Sequence, residues 1–474
     1  MKVRMSSPST LQQLAIRSLL KDEALVFSAL KNLPMELFPP LFKGAFDGQQ
    51  TNILTAIVAA WPFRCLPVGA LMKTPDLETL KAVLGGLDLL IKEKDRPSCK
   101  LEVHDLRDAQ HNFWNSWAGL EDGVCSPDVN EKQPVVDHCL QQGKQVVTVM
   151  MNLSLKSRYL CKYLKYFCSW AIQRKEVLQA ICERLEFGTI PAYNPVRLLE
   201  VFEPKSILEL VVNGHWDMRT LAIFAPGLGQ MRYLQKLHLN DICIKIIPQF
   251  SHLVKLQHLY LNRVFFLNER LEQVLRSLES PLEILAITCC MLSEEDMRYL
   301  SPYPSIHQLR HVDLSGVSFV DLIHPLLGKL LEKLTATLKI LKLKDCTLKD
   351  LQISVLLPAL SQCSQLVELN FVRNFLSLSS LKKLLQHTAN LRQLTRETYP
   401  APEEVYDGIG NVLPDRFARH CSELLETLRG IREPNEDSFV SRRSSLCSCW
   451  QQIMRDYCWA LINESQDSND LLEI

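Results

Sequence analysis

Three histidines, His238, His258 and His311, are the side chains in this sequence whose type and clustering could hold a metal or move a proton. They fall on different predicted strands and bring no carboxylate or thiol pattern with them, so they do not form a zinc set. The 16 cysteines are scattered without paired C-x-x-C spacing and read as buried thiols of a reducing compartment, not disulfides or ligands. No nucleophile elbow, phosphate loop, H-E-x-x-H or catalytic Cys/His signature is present. Arg442-Arg443-Ser444-Ser445 fits a basophilic kinase site, where a phosphate would add charge to a loop. Leu327-x-x-Leu330-Leu331 and Leu381-x-x-Leu384-Leu385 match the motif that docks nuclear receptors. Docking needs those leucines exposed, whereas predicted helices claim them for the core. The expectation is a binding protein without a catalytic residue, cofactor or metal.

The elements that must position these side chains come from a leucine ladder. Leu-x-x-Leu-x-Leu, or an apolar variant, begins at Leu234, Leu256, Leu282, Leu309, Leu338 and Leu366, in steps of 22, 26, 27, 29 and 28 residues. That period is a leucine-rich repeat, one short strand and one helix per copy. The ladder leucines point inwards, and the skipped residues form a concave face. That face runs Lys236, His238, Asn240; His258, Tyr260, Asn262; Ile284, Ala286, Thr288; His311, Asp313, Ser315; Ile340, Lys342, Lys344; and Glu368, Asn370, Val372. At the bend after each strand, Cys290, Cys346 and Asn374 can satisfy backbone groups. Ile242, Val264 and Val317 rely on packing at the same place. Helical spacing follows at Leu322 to Leu334 and Leu351 to Leu360. Weaker copies are Ile207-x-x-Leu210-x-Val212, Val177 to Phe187, and Leu101-x-x-His104-x-Leu106, where His104 replaces a leucine. Leu391-x-x-Leu394 is expected to close the array.

The chain has 474 residues with 53 basic and 53 acidic side chains. A zero balance gives no support to direct nucleic-acid or membrane-surface binding. No apolar run approaches the ~18 residues of a membrane span. The fold class is therefore α/β: a ribonuclease-inhibitor-like horseshoe solenoid with an N-terminal helical docking segment. Residues 1–8 read as a flexible leader, 9–95 as the helical segment and 96–433 as the solenoid. Its strongest repeats lie at 234–376 and a divergent section at 121–206. Residues 434–474 read as a weakly attached tail with a helical stretch from Trp450 to Ile462.

In the helical segment, Leu11, Ala15 and Leu19 are four apart and share one face, behind a capping Ser9 or Thr10. Pro34 suits a helix start, and Pro39-Pro40 is expected to end or kink what began there. The pair resembles the docking box of elongin-recruiting ubiquitin-ligase receptors, with Ala15 in place of the usual Cys. Leu33, Pro34, Leu37 and Leu41 match the cullin-2 box that follows it. Leu-Pro-x-Glu-Leu also occurs in F-boxes, which precede leucine-rich repeats in other ligase receptors.

Over residues ~7 to ~430 the sequence resembles the PRAME family. The blocks are Leu19 to Ala24, Leu33 to Phe42, Ala45 to Gly48, Trp61 to Pro67, Leu71 to Lys73, Asn112 to Trp117, Leu228 to Met231, Leu314 to Val317 and Tyr399 to Pro402. The resemblance implies a non-catalytic substrate-recognition subunit of a cullin-2 RING ubiquitin ligase. It would bind elongin C and elongin B through Leu11, Ala15 and Leu19, and cullin-2 through Leu33, Pro34, Leu37 and Leu41. An unknown protein substrate would lie on the concave face. It also implies roles in repressing transcription, apoptosis and differentiation and in promoting proliferation, in cytoplasm and nucleus. The alternatives are a ligase-independent scaffold or corepressor, or an F-box receptor. Departures from the family are Met1 to Arg4 as an extra leader, a poor match from Glu121 to Tyr166, and Cys447-Ser448-Cys449 in place of the usual Cys-Pro-x-Cys-Gly end.

Overall fold

The computed structural model describes residues 10–72, 76–92, 101–109, 113–114, 147–188, 190–214, 216, 218–242, 247–264, 267–303, 306–319 and 326–431, and the backbone of 436–440 and 458–460. Trp117, Leu322, the kinase motif at Arg442 to Ser445 and the start of the tail stretch at Trp450 lie outside the described residues. Two compact units divide the chain: Met1–Glu186 with Pro191–Ile207, and Phe187–Ile190 with Leu208–Ile474.

The first unit opens with α1 (Leu11–Leu19), α2 (Glu23–Ala29), a 3-10 turn at Met35–Leu37, α3 (Phe38–Asp47) and α4 (Thr51–Ala59). Thr10 starts α1: its hydroxyl accepts from the Gln13 amide at 3.2 Å, and the Gln13 side chain accepts from the Thr10 amide at 3.1 Å. Pro39 and Pro40 do not break a helix, contrary to the sequence expectation. They occupy the first turn of α3, where a missing N–H leaves no intrahelical bond unmade. Phe38, Phe42, Trp61 and Trp114 form the aromatic core beneath these helices.

After α4 come β1 (Cys65–Leu66), α5 (Leu77–Lys92), β2 (Val103–Asp105), β3 (Val147–Met150), β4 (Leu153–Leu155), α6 (Lys162–Ile172), β5 (Leu178–Ile181), β6 (Arg184–Phe187) and α7 (Val196–Val201). β1, β2, β3 and β5 form a parallel sheet in that order. A strand thus lies inside the segment read as helical. Two more, β3 and β4, lie in the stretch from Glu121 to Tyr166 that matches the family poorly. These strands are only two to four residues long, too short for a period to show.

In the second unit the ladder is realised. β7 (Glu209–Asn213), β8 (Lys236–Asn240), β9 (His258–Asn262), β10 (Ile284–Thr288), β11 (His311–Asp313), β12 (Ile340–Lys342), β13 (Glu368–Asn370), β14 (Arg396–Pro400) and β15 (Glu436–Val440) pair in parallel, each with the next. β16 (Cys458–Ala460) is antiparallel to β15. The array therefore continues past Leu394, and 458–460 is strand rather than helix, because the open edge of β14 offers a hydrogen-bonding template. Helices return the chain between strands at Met218–Leu228, Leu271–Arg276, Glu294–Leu300, Leu326–Leu334, Asp350–Leu360 and Leu378–His387. Leu327, Leu330, Leu331, Leu381, Leu384 and Leu385 are all buried, so both receptor-docking motifs serve the core. Each buried leucine contributes ~1.5–3 kcal/mol.

One device is invisible to periodicity. The residue after each strand face bends into the left-handed region at Asp241, Arg263, Cys289, Gly316, Asp345 and Arg373, with φ between 50° and 76°. Its amide then donates to the neighbouring repeat: Asp241 to Asn262, Arg263 to Thr288, Cys289 to Ser315, Gly316 to Lys344 and Asp345 to Val372, at 2.8–3.0 Å. The bend thus extends the ladder beyond the strands and offsets its own strain. At Gly316 a Cβ would stand 2.7 Å from the Cys289 Sγ. Gly316→Ala is expected to lower stability by about 1–3 kcal/mol in urea unfolding; an unchanged midpoint would refute this account of the bend.

Candidate functional site: an exposed docking helix and a strand face

α1 contributes no buried residue. A Cβ on Gly44 of α3 would meet Leu20 Cδ1 at 2.8 Å and Ile16 Cγ2 at 3.4 Å, so this glycine lets the helices approach. Gln50 Nε2 donates to the Leu20 carbonyl at 2.8 Å. The helix thus leans on α3 through Ile16 and Leu20 and leaves its other side outside the core. Leu11 is 86% exposed and Leu14 50%; Ala15 is exposed and Leu19 half-buried. Leu25, Phe27 and Met35 are exposed apolar side chains in the segment that follows. Pro34 is exposed, and Leu33 and Leu37 are half-buried. Leu41 is different: at 1% exposure it belongs to the core beneath α3.

The second surface is the open face of the β7–β14 sheet. Strand alternation puts every second residue there. Register aligns them in rows. One row is Glu209, Lys236, His258, Ile284, His311, Ile340, Glu368 and Arg396. The next is Val211, His238, Tyr260, Ala286, Asp313, Lys342, Asn370 and Thr398. A third carries Asn213, Asn240, Asn262 and Thr288, where Asn240 Nδ2 donates to Asn213 Oδ1 at 2.5 Å and Thr288 donates to Asn262 Oδ1 at 3.1 Å.

Charges sit at the two ends. Glu209 meets Lys236 at 4.0 Å and the His238 imidazole at 3.7 Å. Glu368 lies between Lys342 at 2.8 Å and Arg396 at 2.9 Å. Lys344 has no ion-pair partner among the described residues. Between the ends, His238 and Tyr260 stack with centroids 4.1 Å apart and planes 2° from parallel. Burial pushes His258 and His311 below the ordinary histidine range, and Lys236 adds to this at His258. Both rings are accordingly uncharged at neutral pH. Burial, with Glu209 nearby, holds the Tyr260 phenol above its usual value. His258 Nδ1 and His311 Nε2 are buried and have no hydrogen-bond partner among the described residues.

Strand register sets Lys236, His238, Asn240, His258, Tyr260, Asn262, Thr288, His311, Asp313, Lys342, Glu368 and Asn370, all assigned from sequence, on one face, and Ser315 and Lys344 follow just past the ends of β11 and β12. It adds Glu209 and Arg396, which the six strong repeats left out. Ile207-x-x-Leu210-x-Val212 could have found Glu209, because the skipped position after Leu208 faces outward. Among the described residues no group of three or more His, Cys, Asp and Glu could hold a metal ion, and no helix is long and apolar enough to cross a membrane.

The family models for the PRAME N-terminal domain and the PRAME C-terminal domain match residues 8–114 and 147–457. PRAME family member 12 from Homo sapiens is 41% identical over 446 residues, covering 91% of this chain and 92% of the relative. PRAME family member 20 from Homo sapiens is 41% identical over 456 residues, covering 93% and 96%. Among solved structures, an internalin from Listeria monocytogenes matches at 13% identity with a TM-score of 0.36, covering 76% of this chain and 87% of that one. With both family models matched in order and relatives aligned over nine-tenths of its length, the chain belongs to the PRAME family.

Proposed function

We propose that this chain is the substrate-recognition subunit of a cullin-2 RING ubiquitin ligase, working in cytoplasm and nucleus. α1 would hold elongin C, and with it elongin B; Leu33, Pro34 and Leu37 would meet cullin-2; the open strand face would hold the substrate. One observation carries the reading: α1 is a capped, ordered helix that supports none of its own unit's core and leaves Leu11 and Ala15 free. An exposed apolar helix face is a docking element for a grooved partner. Leu41, assigned to the cullin box by sequence, anchors the segment from inside. The chain would contribute proximity, the entropic part of catalysis, while the RING subunit and a conjugating enzyme carry the chemistry.

The test is co-purification of tagged protein from cells. Leu11→Arg puts a charge into the apolar groove that Leu11 would fill. It should reduce elongin B/C and cullin-2 recovery at least tenfold while shifting unfolding by no more than about 0.5 kcal/mol, the usual range for a surface change. Pro34→Ala should retain elongin and lose cullin-2. Unchanged recovery with folded Leu11→Arg removes the docking assignment. Capture of an F-box adaptor instead changes the ligase class, and capture of neither leaves a scaffold that uses the strand face alone.

A further inference from the structure

On β10 the open face carries shorter side chains than on β9 and β11, a shallow trough with Ile284 half-buried and Ala286 6% exposed. The outward residues of β10 are Ile284 and Ala286, while β9 presents His258 and Tyr260 and β11 presents His311 and Asp313. Register sets His258, Ile284 and His311 in one row and Tyr260, Ala286 and Asp313 in the next. At a strand spacing of ~4.8 Å the two walls stand about 9.6 Å apart. A flat ring with ~3.5–4.0 Å contacts on both faces needs about 7–8 Å. His238 stacks on one face of Tyr260, with ring centroids 4.1 Å apart.

The charge beyond the trough is one-sided. Among the described residues on β12 to β14, Lys342 and Arg396 share Glu368 on the open face; just past β12, Asp345 pairs with Arg373 while Lys344 has no ion pair. β12 lies two strands from β10, about 9.6 Å, which an extended chain covers in about three residues.

We propose that this face binds an extended segment of a partner protein with an aromatic side chain seated over Ile284 and Ala286 and a carboxylate about three residues away against Lys344. The inference rests on the reading of this face as the substrate surface and names the chemistry the substrate must carry. Complementary charge sets register and rejects wrong partners more than it adds affinity.

The test uses the full chain and three fluorescein-labelled ten-residue peptides in fluorescence polarisation at low salt. One carries Tyr-Ser-Gly-Glu at its centre, the second has Lys for the Glu, and the third has Ser for the Tyr. The first should bind roughly tenfold more tightly than either control. Lys344→Glu should invert the preference between the Glu and Lys peptides, and Ala286→Trp, which fills the trough, should abolish binding. Lys344→Glu lies on the surface and keeps the test decisive if Ala286→Trp does not fold. Equal binding of all three peptides, binding of none, or an unchanged preference with Lys344→Glu overturns the proposal. A further arm cross-links the protein in cells. If Lys342→Glu/Lys344→Glu loses its cross-linked partners while the peptides show no preference, the motif is wrong and the face still holds substrate. If the partners persist and the peptides show no preference, both readings fall. Elongin recovery should be the same in every variant.

Discussion

Asn374→Leu should destabilise the second unit by about 4 kcal/mol or more, the largest loss expected from a single change in the repeats. The Asn374 side chain is fully buried. Its Oδ1 accepts from the amides of Cys346 at 3.1 Å and Leu348 at 3.0 Å, and its Nδ2 donates to the carbonyls of Leu343 and Phe371 at 2.7 Å each. Four backbone groups from two adjacent repeats thus depend on one amide. Leucine fits the volume but leaves all four unpaired, at about 1–3 kcal/mol for each buried group that finds no water. The equivalent Cys346 makes a weaker set: its single S–H donates to the carbonyl of Leu314, at 3.2 Å, or of Lys344, at 3.4 Å. Cys346→Val should therefore cost less than Asn374→Leu by several-fold. Urea unfolding of both variants, with hydrogen exchange at the Cys346 and Leu348 amides, measures this. A loss below about 1 kcal/mol for Asn374→Leu would mean that water or a backbone shift satisfies the bend.

The strand face was legible because its signal is redundant. Six ladders fix the inward leucines, and alternation then assigns every face residue from Lys236 to Asn370. The bends were legible where the side chain is Asn or Cys. The left-handed residues beside them were not, because Asp241, Arg263, Cys289 and Arg373 share no chemistry; the amide bond to the next repeat selects the conformation. The end of the array was misread for a similar reason. Where Leu369 points inward on β13, Glu397 follows on β14, buried and bonded by the Tyr399 hydroxyl. A polar pair thus does a leucine's work and hides the repeat. In the N-terminal helical segment the pattern located α1 and its cap, but four-residue spacing cannot tell which of the apolar side chains pack inward and which stay exposed. Only the exposure of Leu11 against the burial of Leu41 does that.

His104→Leu should stabilise the first unit, and more so in acid. His104 stands at a ladder position between Leu66 and Val149 in the parallel sheet. It is fully buried, and neither ring nitrogen has a hydrogen-bond partner among the described residues. Burial pushes its pKa down to about 4, only partly opposed by the neighbouring Asp105. Asp105 is itself buried and engaged by Arg107, which also bonds Glu183. In the unfolded chain the imidazole titrates near ~6.5. Between about pH 6.5 and 4 the unfolded chain therefore binds a proton that the folded one refuses, so stability falls as pH falls through that window and is unaffected by this group above it. The whole window amounts to about 3 kcal/mol, and roughly 2 kcal/mol of it lies between pH 6.5 and 5. Leucine restores the ladder residue, removes two unpaired polar atoms worth about 1–3 kcal/mol at neutral pH, and cannot titrate. Denaturant melts of wild type and His104→Leu at about pH 7.5 and 5 should show the gap widening by about 2 kcal/mol at the lower pH. Parallel losses in the two proteins would mean that the acid sensitivity does not arise at His104. A smaller gap at about pH 5 would mean that the folded sheet accepts a charged imidazole, which the burial of both nitrogens forbids.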